Sequence, residues 1–117
     1  MFEELIAYFQ EKSVEITPEF LSILNENLVE KEVRKNDIIL RQGDTCTHTF
    51  FVSKGLLRAY TIDEQGKEHI LQFAPENWLI SDRSSLLFQD NSDQYIDTVE
   101  DSKIILISES FFEKLRS

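Results

Sequence analysis

The sequence predicts a mainly β fold with flanking helices, in which short strands form a sandwich or a barrel-like roll. Between residues 35 and 62, turn signals at Gly43-Asp44 and Lys54-Gly55 separate three apolar runs of strand length. Further apolar runs follow at the spacing of about 8–12 residues that is typical of such folds. The first 30 residues carry helical patterns instead. Rolls of this kind often contain a ligand, so a binding function is expected.

Two helices are predicted ahead of the strands. The first has an apolar stripe at the i, i+3, i+4 and i+7 spacing of an amphipathic helix, formed by Phe2, Leu5, Ile6 and Phe9. Thr17 is a good N-cap for the second helix, and Pro18 suits its first position because the missing N–H would be unpaired there. The buried face of the second helix is expected to comprise Phe20, Ile23, Leu24 and Leu28.

The rest of the chain is expected to be mostly strand. The loop 63–67 contains Gly66, which can adopt a positive φ, so strands 56–62 and 68–73 should pair as an antiparallel hairpin. The continuous apolar run 104–107 is typical of a strand covered on both faces. Ser108 is a candidate cap for a final helix. The predicted strands are roughly 38–41, 49–53, 56–62, 68–73, 78–80, 95–99 and 103–108.

The length of 117 residues indicates a single domain, 1–117. We divide it into N-terminal helices at 1–30, a β-roll at 31–108 and the start of a C-terminal helix at 109–117. Two interpretations of the last segment stay open. It either begins a longer helix that continues beyond this chain, or it is a short terminal helix docked on the roll.

Composition argues against several classes of protein. The chain has 22 acidic and 12 basic residues and a net charge of −10, whereas binding to nucleic acid depends on clustered cations. The N-terminus lacks the pattern of a secretory signal, and no apolar run is long enough to span a bilayer. The single cysteine, Cys46, cannot form an intramolecular disulfide. We therefore expect a soluble cytoplasmic domain that contacts neither membrane nor, by itself, DNA.

Five segments occur in a characteristic order: the KNDIILRQGD strand and turn, FFVSKGLLRAY, a charged hairpin, FAPENWLIS, and EDSKIILISESFFEKL. Together they resemble the ligand-sensing domain of Crp/Fnr-type bacterial transcription regulators, over about residues 20–116. The resemblance implies a double-stranded, jelly-roll-like β-roll of the cyclic-nucleotide-binding domain type. It also implies a homodimer through a C-terminal helix mostly absent here, and a helix-turn-helix DNA-binding domain that is not present in this chain.

The resemblance also implies where a ligand would bind. Relatives that bind a cyclic nucleotide carry a Gly-Glu pair at the start of a short helix and, some ten residues later, an Arg that pairs with the phosphate. Here Ile80 stands at the expected Gly and Ser81 at the expected Glu, and no Arg or Lys lies between 83 and 103. Residues 76–102 hold seven acids and one base. We therefore expect a degenerate phosphate cassette that does not bind cAMP in the usual way.

The candidate ligand-binding residues are Ser81, Asp82, Arg83, Ser84 and Ser85. In one interpretation Ser81 or Asp82 caps a short helix, and the following residues offer a guanidinium, hydroxyls and N–H groups to a small anion. In the other, which we favour, Asp82 is an ordinary cap and Arg83 pairs with a nearby acid at the surface. The identity of any small-molecule effector stays open.

Other chemistry finds little support in the sequence. Cys46, His48 and His69 form only one Cys-x-His pair, whereas zinc sites need three or more ligands, so no metal or cofactor is expected. We expect Cys46 to be a small, partly buried thiol, with a redox-active thiol as the alternative. No Gly-x-Ser-x-Gly elbow or phosphate-binding glycine loop indicates an enzyme. The alternatives to a regulatory sensor are a cyclic-nucleotide module with an altered cassette and a cupin-like small-molecule or metal-binding roll.

Two sets of apolar side chains have open roles. We expect the aromatic residues near the candidate site to belong to the core, with stacking on a planar ligand as the alternative; they are Phe73, Trp78 and Phe88. The apolar residues of the final helix either begin a dimer seam or pack on the roll; they are Phe111, Phe112 and Leu115.

Overall fold

The computed structural model describes residues 2–116, so Met1 and Ser117, the two ends of the predicted domain, lie outside the described part. Within residues 2–116 the chain forms four helices and eight strands. In chain order these are α1 (Glu3–Glu11), α2 (Pro18–Asn27), β1 (Leu28–Val33), β2 (Ile38–Leu40), β3 (His48–Lys54), β4 (Leu57–Ile62), β5 (Glu68–Ala74), β6 (Leu79–Ile80), α3 (Arg83–Phe88), β7 (Tyr95–Thr98), β8 (Ser102–Ser108) and α4 (Glu109–Arg116).

The strands form two antiparallel sheets of four strands each. Sheet A has the order β1-β8-β3-β6, and sheet B has the order β2-β7-β4-β5. Strands β4 and β5 pair as the predicted hairpin, and Gly66 in its loop has the positive φ of 82° that the turn requires. The predicted fold class, a mainly β roll of two sheets with flanking helices, is confirmed.

An apolar cluster fills the space between the two sheets. Successive side chains of a strand point to opposite faces. The strand residues of this cluster are those whose side chains point to the inner face of their sheet. Burying these side chains is the main favourable contribution to the folding of the roll. The buried members are Val33, Leu40, Cys46, Phe50, Val52, Leu57, Ala59, Ala74, Ile80, Ile96 and Ile104.

A second apolar cluster lies between the outer face of sheet A and the helices α1, α2 and α4. Strand β8 serves both clusters, since Ile104 faces the interior while Ile105 and Ile107 face the helices. The prediction that this strand is covered on both faces is therefore confirmed. We call the second set the helical cluster; its buried members are Phe2, Leu5, Phe9, Phe20, Leu24, Leu28, Phe51, Ile105, Ile107 and Phe111.

The apolar side of helix α4 packs against the helical cluster. Phe111 is fully buried in the helical cluster, and Phe112 and Leu115 pack against it. The Ser108 hydroxyl accepts a hydrogen bond from the Phe111 N–H at 3.4 Å, as the cap prediction requires. Of the two roles considered for these apolar residues, packing on the domain is the one observed.

The boundary between helix and strand differs from the prediction. Thr17 caps α2 as expected, accepting a hydrogen bond from the Phe20 N–H at 3.0 Å. However, α2 ends at Asn27, and Leu28 begins β1 instead of extending the helix. Leu28 is still buried in the helical cluster. Strand β1 was missed because its middle residues are exposed and mostly charged, and its pairing with β8 stabilises it.

None of the helices in the described part of the chain is long and apolar enough to cross a membrane.

Candidate functional site

A network of buried polar groups shapes the segment around α3. Asp82 is the N-cap of this helix: one carboxylate oxygen accepts from the Ser85 N–H at 3.2 Å. The other accepts from the Ser92 hydroxyl at 2.5 Å. The Ser85 hydroxyl in turn donates to the Asp90 carbonyl at 2.5 Å and accepts from the Cys46 N–H at 2.8 Å. These bonds tie α3 to the loop that follows it and to the start of the roll.

The structure divides the five predicted site residues into two groups. Asp82 and Ser85 are buried and use their side chains in this network. Arg83 and Ser84 are exposed, and Ser81 is half-buried. The Arg83 side chain makes no hydrogen bond or ion pair with the described residues, so the surface ion pair that we favoured is not formed among them. The guanidinium remains available to another group.

Arg83 lines a cleft of about 450 Å³ between α3 and α4, a volume within the usual range for small-molecule sites. We call it the α3–α4 cleft. Its charged residues are Arg83 and Glu109. One wall is apolar, and Gln72 at its edge donates from its side-chain amide to the Leu79 carbonyl at 3.3 Å. The remaining lining residues are Thr49, Ile80, Ser81, Leu86, Leu87 and Phe112.

The position at which the resemblance implies a glycine is filled by an apolar side chain. Ile80 is only 2% exposed and belongs to the cluster between the sheets. Two residues later, the Asp82 carboxylate accepts a hydrogen bond from the Ser92 hydroxyl. The position at which a glycine is implied is therefore occupied by a side chain of the core.

The sequence did not indicate a half-buried ion-pair group on the outer face of sheet B. Arg58 of β4 donates from Nε to Asp97 of β7 at 2.8 Å and from Nη1 to Glu68 of β5 at 3.0 Å. Its guanidinium also lies 4.2 Å from the centroid of the Tyr60 ring, and the Tyr60 hydroxyl donates to Asp97 at 3.0 Å. The hydrogen bond with Asp97 raises the pKa of Arg58. Arg58 therefore links β4 to both of its neighbouring strands, β5 and β7, and its guanidinium is not free to bind a ligand.

Burial also shifts the pKa of Tyr60 in this group. Removal of its ring from water raises the pKa of the Tyr60 hydroxyl, and the hydrogen bond to Asp97 adds to the effect. The only signal in the sequence was the alternation of Arg58 and Tyr60 along one strand, which places both on one face. Their partner, Asp97, is 39 residues away from Arg58, so no local pattern identifies it.

The expectation that the aromatic residues of this region are core residues is wrong. Phe73, Trp78 and Phe88 are 50%, 53% and 71% exposed. Phe73 lies on β5, which is an edge strand of sheet B, and Phe88 is the last residue of α3. None of the three lines the α3–α4 cleft, so they do not provide a stacking surface there.

Cys46 lies beside His48, whereas His69 lies in the β4–β5 hairpin. Cys46 is 2% exposed, and burial raises the pKa of its thiol, which donates to the His48 carbonyl at 3.3 Å. His69 pairs with Asp63 at 2.9 Å in the β4–β5 hairpin, and this contact lowers the pKa of Asp63. Among residues 2–116, no group of three or more His, Cys, Asp or Glu side chains is arranged to hold a metal ion.

Comparison with known proteins identifies the family of the chain. Residues 30–117 match the family model described as the cyclic nucleotide-binding domain. The anaerobic regulatory protein of Aggregatibacter actinomycetemcomitans is 32% identical over 50 residues, which make up 41% of this chain and 20% of that protein.

Two solved structures share the fold at low sequence identity. The sensor domain of the transcriptional regulator DNR from Pseudomonas aeruginosa superposes with a TM-score of 0.79 at 17% identity, over 100% of this chain and 81% of that one. The catabolite activator protein of Thermus thermophilus superposes with a TM-score of 0.70 at 20% identity, over 86% of this chain and 46% of that one. This chain thus spans less than half of the Thermus protein. Because the family model covers most of its length, the chain belongs to the cyclic nucleotide-binding domain family.

Proposed function

We propose that this sensor domain binds a small anionic effector in the α3–α4 cleft and that it does not bind cAMP in the usual way. The observation that carries the proposal is Arg83, which lines the cleft and has no ion pair with any described residue. A guanidinium in this state is a natural partner for a carboxylate or phosphate. The apolar wall would hold the rest of the effector.

The cassette supports an effector other than a cyclic nucleotide. Ile80 occupies the position at which the resemblance implies a glycine. The Asp82 carboxylate accepts a hydrogen bond from the Ser92 hydroxyl, so these polar groups are not free to bind a ribose or a phosphate. Glu109 also lines the cleft, so a cyclic phosphate would meet a carboxylate as well as Arg83. A cyclic-nucleotide module with an altered cassette is the second candidate, because the family itself includes cyclic-nucleotide binding.

The position of the cleft supports a regulatory role without catalysis. An effector there would touch both α3 and α4, and α4 is the element that the resemblance extends into a dimerisation helix. Phe111 and Phe112 already pack in the helical cluster, so a dimer seam would use other residues. We propose a cytoplasmic homodimer formed through the C-terminal helix that acts on DNA only through a separate domain.

Calorimetric titration tests the proposed site. Cyclic AMP, cyclic GMP and a panel of small carboxylated and phosphorylated metabolites would be titrated into the 117-residue chain at low salt. We expect no heat from cyclic AMP at millimolar concentration and binding of at least one other anion. Arg83→Gln should weaken that binding by about 10- to 100-fold, the usual loss for a hydrogen bond to a charged group.

Lys67→Gln is the matched control, because Lys67 is an exposed cation of the hairpin loop and does not line the cleft. It should change the affinity less than twofold. Micromolar binding of cyclic AMP would favour the altered-cassette alternative. Absence of binding by every anion at millimolar concentration would reject the cleft as an effector site.

A further inference from the structure

A second cavity lies on another side of the roll, where the edge strand β2 of sheet B faces the inner side of sheet A. It has a volume of about 520 Å³ and shares no lining residue with the α3–α4 cleft. We call it the edge groove. Its lining residues are Lys31, Val33, Asp37, Ile38, Ile39, Arg41, Thr47, His48, Phe50, Ile104 and Leu106.

The floor of the edge groove is apolar. Val33, Phe50 and Ile104 are buried members of the cluster between the sheets, and the half-buried Ile39 and Leu106 pack beside them. An apolar group that binds on this floor would contact the edge of the core and would be removed from water. The volume lies in the usual range for small-molecule sites, which is large enough for the ten heavy atoms of octanoate.

The rim of the edge groove is positive, in contrast with the chain as a whole. Lys31 and Arg41 line it, and neither side chain makes a hydrogen bond or ion pair with the described residues. The one acid in the lining, Asp37, has a carboxylate oxygen that accepts from the Arg34 N–H at 2.8 Å. With neutral His48 the lining carries a charge of +1, from two cations and one acid, in a chain of net charge −10.

His48 adds a polar group to the lining of the edge groove. Its Nδ1 lies 2.8 Å from the Thr47 hydroxyl, and burial lowers the pKa of its ring. The ring is therefore mostly neutral at pH 7. An apolar group that binds beside it does not have to displace water from a full charge, which would cost free energy.

From this arrangement we propose that the edge groove binds an amphipathic organic anion, namely a carboxylate with an apolar chain of about eight carbons. The carboxylate would pair with Arg41 and Lys31, because a guanidinium presents two N–H donors that match the two carboxylate oxygens. The chain would lie on Val33, Phe50 and Leu106. This site is separate from the proposed effector cleft, and the two are tested independently.

Titration of octanoate into the ¹⁵N-labelled chain, followed by amide NMR shifts at low salt, tests the proposal. We expect shifts at Lys31, His48 and Ile104 and none at Gln72 or Arg83, which line the cleft. Affinity should rise about three- to fourfold for each CH₂ from hexanoate to decanoate, as expected when the chain leaves water. Octanol, which lacks the charge, should bind at least tenfold more weakly than octanoate.

The double variant Lys31→Gln/Arg41→Gln should bind octanoate at least tenfold more weakly, whereas Lys67→Gln should match the wild type within twofold. Both rim side chains are exposed, so the double variant should fold, and its circular dichroism and thermal unfolding would check this. Should it fail to fold, the chain-length series on the wild type still decides. No binding of octanoate at millimolar concentration, shifts at the cleft instead, or affinity independent of chain length would overturn the proposal.

Discussion

The helical cluster and the segment around α3 use aromatic residues in opposite ways. In the helical cluster the Phe9, Phe20 and Phe111 rings pack with centroids 5.5–6.3 Å apart, and all three are buried. In the segment 78–92 the aromatic residues Trp78 and Phe88 are more than half exposed. There the buried side chains include polar ones, namely Asp82, Ser85 and Ser92.

This difference shows two ways of holding a chain in place. The helical cluster depends on apolar burial, which is non-directional and roughly proportional to the area removed from water. The α3 segment depends on directional hydrogen bonds among short side chains, each of which needs its partner. A segment held in the second way leaves large apolar side chains on the surface, where a partner or ligand can reach them. Ligand sensing beside this segment is what we propose for the α3–α4 cleft.

Phe111→Ala should have the largest effect, because it empties the centre of the helical cluster. We expect the free energy of unfolding to fall by about 3–5 kcal/mol, the usual cost of removing a buried Phe ring. Urea denaturation followed by circular dichroism measures this quantity. A loss below about 1 kcal/mol would show that burial does not dominate this side of the molecule.

Asp82→Ala should have an intermediate effect, because it removes the cap of α3 and leaves the Ser92 hydroxyl without that acceptor. We expect a loss of about 1–2 kcal/mol in the same denaturation experiment, with faster hydrogen exchange at the Ser85 amide. Ser84→Ala is the matched control, since Ser84 is exposed and its hydroxyl makes no hydrogen bond with the described residues. Equal effects of the two substitutions would mean that the network does not hold the segment.

Phe88→Ser should have the smallest effect. Phe88 is 71% exposed, so the free energy of unfolding should change by no more than about 0.5 kcal/mol. The same denaturation curves provide the measurement, and an unchanged slope would show that compactness is unaltered. If Phe88→Ser instead costs more than about 1 kcal/mol, this ring packs in solution as the sequence first suggested.

The site was less predictable than the fold, for a physical reason. The sequence placed Asp82 as a cap of a short helix, and the structure shows this bond. It did not identify Ser92 as a second partner or Glu109 as a lining residue of the cleft, because these side chains come from other parts of the chain. It also assigned an ion pair to Arg83 that does not occur among the described residues.

By itself the sequence determined the elements whose stabilising signal is local. Thr17 and Pro18 start α2, Gly66 permits the hairpin, and the apolar run of β8 requires cover on both faces, so the mainly β roll with flanking helices followed. Only the tertiary structure decided the features made by distant residues. These are the strand β1 beside β8, the Arg58–Asp97 pair, and the edge groove that brings Lys31 and Arg41 to one cavity. Hydrophobic periodicity and turn chemistry act over a few residues, whereas strand pairing, ion pairs and cavities depend on where the folded chain returns.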